Sequence, residues 1–147
     1  MTDFPEISVN IQFSNRTLEL LSDGIDAAVR IGELRDSSLR ARKLTETTIR
    51  MVASPDYLDK SEAPMRLEDL NDHKLLHYSD QATPSVWKIT SNTGELRQIR
   101  TAGSLSVNDG QSLLNAAIEG LGIAYLPSFL YADAMREGRV VDVMPHL

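Results

Sequence analysis

The amino-acid sequence predicts an α/β layer fold, and three observations carry that expectation. Ile7, Val9, Ile11 and Phe13 alternate with polar residues, and the apolar stretch from Ile25 to Gly32 follows a short helical pattern. Strand, helix and strand within roughly 25 residues form a βαβ unit, which needs a parallel pairing. Asn108-Asp109 opens a strongly amphipathic segment that ends at Gly120 and runs directly into the apolar Ile123, Ala124, Tyr125 and Leu126. Between these regions, Asn92-Thr93-Gly94 separates two strand-like runs and predicts a hairpin.

The elements follow in order along the chain. The period-2 pattern of residues 7–13 predicts a strand with one buried face. Ser14-Asn15 supply cap chemistry for a helix through Leu18, Leu20 and Leu21, and Asp23-Gly24 stops it. The following strand is apolar enough to be covered on both faces. Residues 32–42 read as loop, and the Thr-, Ile- and Val-rich residues 43–53 as extended chain. Ser54-Pro55 predicts a helix start, with Ser as N-cap and Pro at the first helical position. That helix runs through Tyr57 and Leu58 to about Lys60, and residues 64–71 make a second short helix. Strands are expected at 74–78, 86–91, 95–100 and 103–107. The helix after Asn108-Asp109 buries Leu113, Leu114, Ala116, Ala117 and Ile118. A strand at 123–126, a helix around 129–135, a stop at Gly138 and a strand at 140–143 complete the chain.

Composition excludes several classes. The chain has 147 residues, 41% of them hydrophobic, which suits one ordinary domain or two small lobes. It contains no cysteine, so a disulfide framework and thiolate metal sites are excluded. Its 15 basic and 21 acidic residues give a net charge of −6, against the basic excess of a general nucleic-acid surface. No apolar run approaches the roughly 20 residues of a membrane span, and residues 1–10 do not read as a secretory signal. A cytoplasmic location is expected.

Catalytic signatures are nearly absent. Gly120-Leu121-Gly122 lacks the third glycine of a dinucleotide fingerprint, and no phosphate-binding loop or nucleophile elbow occurs. His73 and His77 are four residues apart, but on extended chain that spacing separates them by about 13 Å, so no metal is expected. Asn15-Arg16-Thr17 matches a glycosylation acceptor by chance. No cofactor is called for, and the chain is not expected to be an enzyme. Asp109 reads as a helix cap, and the amides beside it could also hold an anion. Arg30, at the end of an apolar strand, must be paired or face a polar cleft. Tyr57 and Trp87 read as packing residues, and Arg40, Arg42, Lys43 and Arg50 as a solvated basic run.

The segment Asp23-Gly24-Ile25-Asp26-Ala27-Ala28-Val29-Arg30-Ile31-Gly32 resembles the DGxDxAxRxG motif of the effector-binding domain of LysR-type transcriptional regulators. Further matches follow in family order. They are Leu39-Arg40-Ala41-Arg42-Lys43-Leu44, Val52-Ala53-Ser54-Pro55-Asp56-Tyr57-Leu58 and Leu67-Glu68-Asp69-Leu70-Asn71-Asp72-His73. Trp87, Val107-Asn108-Asp109, Gly120-Leu121-Gly122-Ile123-Ala124-Tyr125-Leu126-Pro127 and Gly138-Arg139-Val140 complete the series.

That resemblance implies a fold like the type 2 periplasmic binding proteins, with two α/β lobes joined by two crossover strands at residues 48–54 and 122–127. Lobe I would comprise residues 1–50 and 128–147, and lobe II residues 51–127. A small organic anion or metabolite would bind between the lobes, touching Ser14, Asn15, Arg30, Ser54, Tyr78, Asn108 and Asp109. A transport solute-binding protein is the rival with the same fold. Relative to the family pattern, the helix-turn-helix reader and the opening strand and helix have no counterpart here, so the first lobe is expected to be incomplete and DNA contact to belong to the parent protein alone. An unfilled place in the first sheet would favour a homo-oligomer, a dimer whose interface includes Ile7 to Phe13.

Overall fold

A computed structural model of the chain describes residues 4–14, 23–31, 37–79, 86–90, 94–100, 103 and 105–145. It divides into two compact units, Met1–Ala41 and Arg42–Leu147.

The second unit is built on one mixed sheet. Its elements are β1 (Ile49–Ala53), α1 (Pro55–Ser61), a 3₁₀ turn (Leu67–Asp72), β2 (Leu75–Tyr78), β3 (Val86–Thr90) and β4 (Leu96–Arg100). There follow β5 (Leu105–Val107), α2 (Gly110–Ile118), β6 (Ile123–Pro127), α3 (Ser128–Arg136) and β7 (Val141–Asp142). The strand order is β5-β2-β6-β1-β7, and β3 and β4 form a separate antiparallel hairpin. Strand β2 runs parallel to both β5 and β6. Strand β1 runs antiparallel to β6 and β7.

Strict alternation along the strands feeds two cores, one on each face. Val52, Leu76, Ala124 and Leu126 point into the layer closed by α2 and α3, with Leu113, Leu114, Tyr131, Ala134 and Val140. Met51, Ala53, Leu75 and Ile123 point the other way, toward Tyr57, Leu70, Trp87 and Ile89. Burying each large side chain contributes about 1.5–3 kcal/mol. Truncating the fully buried Leu113 or Leu76 to Ala would therefore cost about 2–5 kcal/mol, cavity included.

Local chemistry sets the helix ends. Ser54 Oγ accepts the Tyr57 N–H at 3.3 Å, with Pro55 at the first helical position. Asp109 Oδ2 accepts the Ser112 N–H at 2.7 Å. Gly120 adopts φ +74°, which lets Leu121 N–H bond Ala116 O at 3.0 Å while Gly120 N–H bonds Ala117 O at 3.1 Å. This reversal closes α2 as a left-handed cap. Two residues later the chain passes so near β2 that a Cβ on Gly122 would lie 2.2 Å from Lys74 O.

Several expectations change. The short helix expected at residues 64–71 is a 3₁₀ helix at Leu67–Asp72, and at its start Asp69 accepts the N–H groups of Met65 and Arg66 at 3.1 and 2.9 Å. Ladder pairing begins only at Ile49 within the extended run 43–53. Residues 128–147 group with the rest of Arg42–Leu147 in the second unit, Ser128 beside Thr47 and Thr48 at the start of β1. Their Tyr131, Ala134 and Val140 complete the core formed by β1, β2, β6 and α2.

In the first unit, the described parts of residues 7–13 and 25–31 carry no strand ladder. Ile11 and Phe13 are 70% and 97% exposed, and Val29 is 82% exposed. Alternation selects a face but cannot supply the neighbour whose N–H and C=O groups a strand requires. The expected strand around Arg30, covered on both faces, is accordingly not seen among the described residues, where Arg30 is exposed. The helix expected after Asn15 lies outside them.

Candidate functional site

The sheet directions of the second unit collect polar groups along one edge. Strands β5, β2 and β6 are parallel and end together, and antiparallel β1 starts at the same edge. Tyr78 ends β2, and the next N–H, of Ser79, donates to Val107 O at 2.8 Å. Asn108 and Asp109 follow β5 directly and lead into α2. Strand β6 turns straight into α3, whose first residue, Ser128, donates its N–H to Thr48 O at 2.8 Å. The Ser128 and Thr47 hydroxyl oxygens lie 3.0 Å apart.

The two helix starts differ electrostatically. At α2, the Ser112 hydroxyl and N–H hold the Asp109 carboxyl below the ordinary aspartate value. That carboxylate already occupies the place an external anion would take. The start of α3 follows Pro127 and has no side-chain cap. Apart from the Ser128 N–H, which Thr48 O accepts, its first-turn amides have no side-chain cap, and with the Thr47–Ser128 hydroxyl pair they offer the better place for negative charge.

Of the residues singled out from sequence, Tyr78, Asn108 and Asp109 come together at this edge. Ser54 does not join them. Val52 pairs with Ala124 and Leu76 pairs with the same Ala124, so antiparallel β1 carries Ser54 to the amino edge of β6. The length of β6 separates the two edges by about 13 Å. Ser54 is buried, and its hydroxyl serves as the α1 cap. Ser14 and Arg30 are exposed residues of the first unit, each with an interaction partner. Asn15 lies outside the described residues. His73 Nδ1 lies 3.1 Å from the Tyr57 hydroxyl, and His77 is buried in β2. Thr47 and Ser128 were not singled out from sequence. The usable signal was a Ser placed right after the Pro that closes a buried strand, the mirror of Ser54-Pro55.

A mixed sheet with helix starts and hydroxyls gathered at the carboxyl ends of parallel strands is the architecture of a small-molecule-binding α/β domain. Comparison with known proteins agrees. The family model described as "LysR substrate binding domain" matches residues 1–146. An uncharacterized HTH-type transcriptional regulator of Haemophilus influenzae is 34% identical over 145 residues, covering 99% of this chain and 50% of that protein. HTH-type transcriptional regulator CrgA of Neisseria meningitidis is 30% identical over 141 residues, covering 96% of this chain and 46% of its own length. The full-length structure of the Vibrio cholerae virulence activator AphB superposes with a TM-score of 0.86 at 29% identity, covering 99% of this chain and 49% of that one.

The chain belongs to the LysR substrate-binding domain family. Its relatives are LysR-type transcriptional regulators, which are not enzymes, and the reading as a transport solute-binding protein is set aside. The chain spans about half the length of the curated relatives it matches.

Proposed function

We propose that the chain senses a small organic anion for a LysR-type transcription regulator and holds it at the carboxyl edge of the second unit's sheet. The observation that carries this reading is the start of α3, where uncapped amides stand beside the Thr47–Ser128 hydroxyl pair. Tyr78 and Asn108 flank the ligand from β2 and β5, and Asp109 keeps α2 in place as its cap. A ligand would change the regulator's output only by as much as its affinities for two arrangements differ.

In the parent protein, DNA contact would belong to a helix-turn-helix outside these residues. The chain would act in the cytoplasm as a homodimer whose interface includes Ile7, Val9, Ile11 and Phe13, supported by the exposure of these apolar side chains. No helix among the described residues is long and apolar enough to cross a membrane.

Calorimetric titration with a panel of small mono- and dicarboxylates tests the reading. One or more should bind, and Ser128→Ala or Asn108→Ala should weaken binding about tenfold, equivalent to one lost hydrogen bond near 1.4 kcal/mol. Binding that neither substitution changes would overturn the assignment to this edge.

A further inference from the structure

A depression of about 420 Å³ opens at the amino edge of the same sheet, on the side away from Tyr78, Asn108 and Ser128. One wall is a face of α1 bearing Asp56, Tyr57 and Lys60, the second comprises Asp72 and Lys74 before β2, and the third is the end of α2 at Glu119 and Gly120. Hydrogen bonds fix these walls. Tyr57 Oη accepts the Lys74 N–H at 3.0 Å and lies 3.1 Å from His73 Nδ1, which ties α1 to the start of β2. The Ser54 hydroxyl lies 3.4 Å from where a Cβ on Gly120 would stand, so the α2 cap sits close against the start of α1.

The charges around this depression are of both signs and are not joined to one another. Asp56, Asp72 and Glu119 oppose Lys60 and Lys74, yet none of the five forms an ion pair with a described residue. Two ammonium groups on one side of the balance meet three carboxylates and the negative end of the α2 dipole on the other. No group of three or more His, Asp or Glu among the described residues is arranged to hold a metal ion, so the carboxylates do not converge on one point. The complement of such walls is an organic ligand carrying both an ammonium and a carboxylate. A volume of this size lies within the range of small-molecule sites.

We infer that this depression is a second ligand site, which takes a free α-amino acid with its carboxylate toward Lys60 and Lys74 and its ammonium toward Asp72 and Glu119. The site stands about 13 Å along the sheet from the carboxyl edge. It uses none of the residues proposed there, so the two assignments stand or fall separately.

Calorimetric titration of the chain with the proteinogenic L-amino acids, one at a time, tests this. At least one should bind, and its N-acetyl and carboxamide forms should each bind about tenfold more weakly, because each removes one charge. The double substitution of Lys60→Ala with Lys74→Ala, and separately Asp72→Asn, should weaken binding by a similar factor, while Ser128→Ala leaves it unchanged. Circular dichroism establishes that each variant folds; should Asp72→Asn fail to fold, the lysine variant and the blocked ligands carry the test. Absence of binding by every free amino acid overturns the inference. So does binding that survives blocking of either charge, or that is insensitive to the lysine substitutions.

Discussion

Gly103 lies directly against the imidazole of His77, so close that a Cβ on the glycine would stand 1.5 Å from His77 Cδ2 and 1.9 Å from Nε2. The ring is buried in β2, so it cannot swing into solvent to make room. Gly103→Ala should destabilise the second unit by about 1–3 kcal/mol, the usual cost of overpacking. In a His77→Ala background the same substitution should cost close to nothing extra. Urea denaturation of the four members of this cycle measures the coupling, and additive losses would show that the two positions do not compete for space.

Ser54 fills the place of a cap. Its Oγ bonds the Tyr57 N–H from a site that is 3% exposed. Ser54→Ala should therefore lower stability by about 1 kcal/mol, read as a shift in urea midpoint with an unchanged slope. Affinity for a carboxylate at the opposite edge of the sheet should stay as it was. A selective loss of that affinity with stability intact would return Ser54 to the binding residues.

Asp109 makes stability depend on acidity. Hydrogen bonds from Ser112 depress its folded pKa, and those from Arg66 and Met65 do the same for Asp69. A carboxyl whose folded pKa lies below its unfolded one contributes stability that is fully present above the unfolded value, about 3.9. That contribution is lost as pH falls through the folded pKa. Asp109→Asn keeps a capping side chain but cannot titrate. Its stability at neutral pH should stay close to the parent's, and its acid-induced loss below about pH 4 should be shallower. Thermal melts from pH 7 down to pH 2.5 would show whether the two curves, together at neutral pH, separate as they acidify.

The exposed apolar side chains of residues 7–13 should govern assembly. Replacing Ile11 and Phe13 together by Glu should move the chain from dimer toward monomer in sedimentation velocity, since paired carboxylates in an apolar interface are costly. An unchanged sedimentation coefficient across the pair would place the interface elsewhere.

Most of the second unit was legible in the sequence because its signals are local. Ser54-Pro55, Asn108-Asp109 and Gly120 each mark a helix boundary by chemistry within a few residues, and Asn92-Thr93-Gly94 marks the β3–β4 hairpin. Pairing is not local, and there the reading reached its limit. The alternation of Ile7, Val9, Ile11 and Phe13 could name a face without naming a neighbour. The destination of Ser54 depended on β1 running antiparallel to β6, which no residue near Ser54 encodes. Thr47 and Ser128 become a pair only through that same register, with their hydroxyls 3.0 Å apart. The contact between Gly103 and His77 likewise joins positions on either side of the hairpin.

The antiparallel partnership of β1 with β6 also sets an order of events during synthesis. Ile49 faces Pro127 and Val52 faces Ala124, so β1 leaves the ribosome long before its central neighbour exists. Until then Met51, Val52 and Ala53 have no ladder and neither core can close around them. The β3–β4 hairpin and α2 depend on neighbours close in sequence and can form early. Completion of the sheet must wait for closure of the long intervening loop, a slow step for a non-local pairing. During that interval the nascent chain presents an apolar strand with open edges, and this is the stage at which a chaperone would have most to hold.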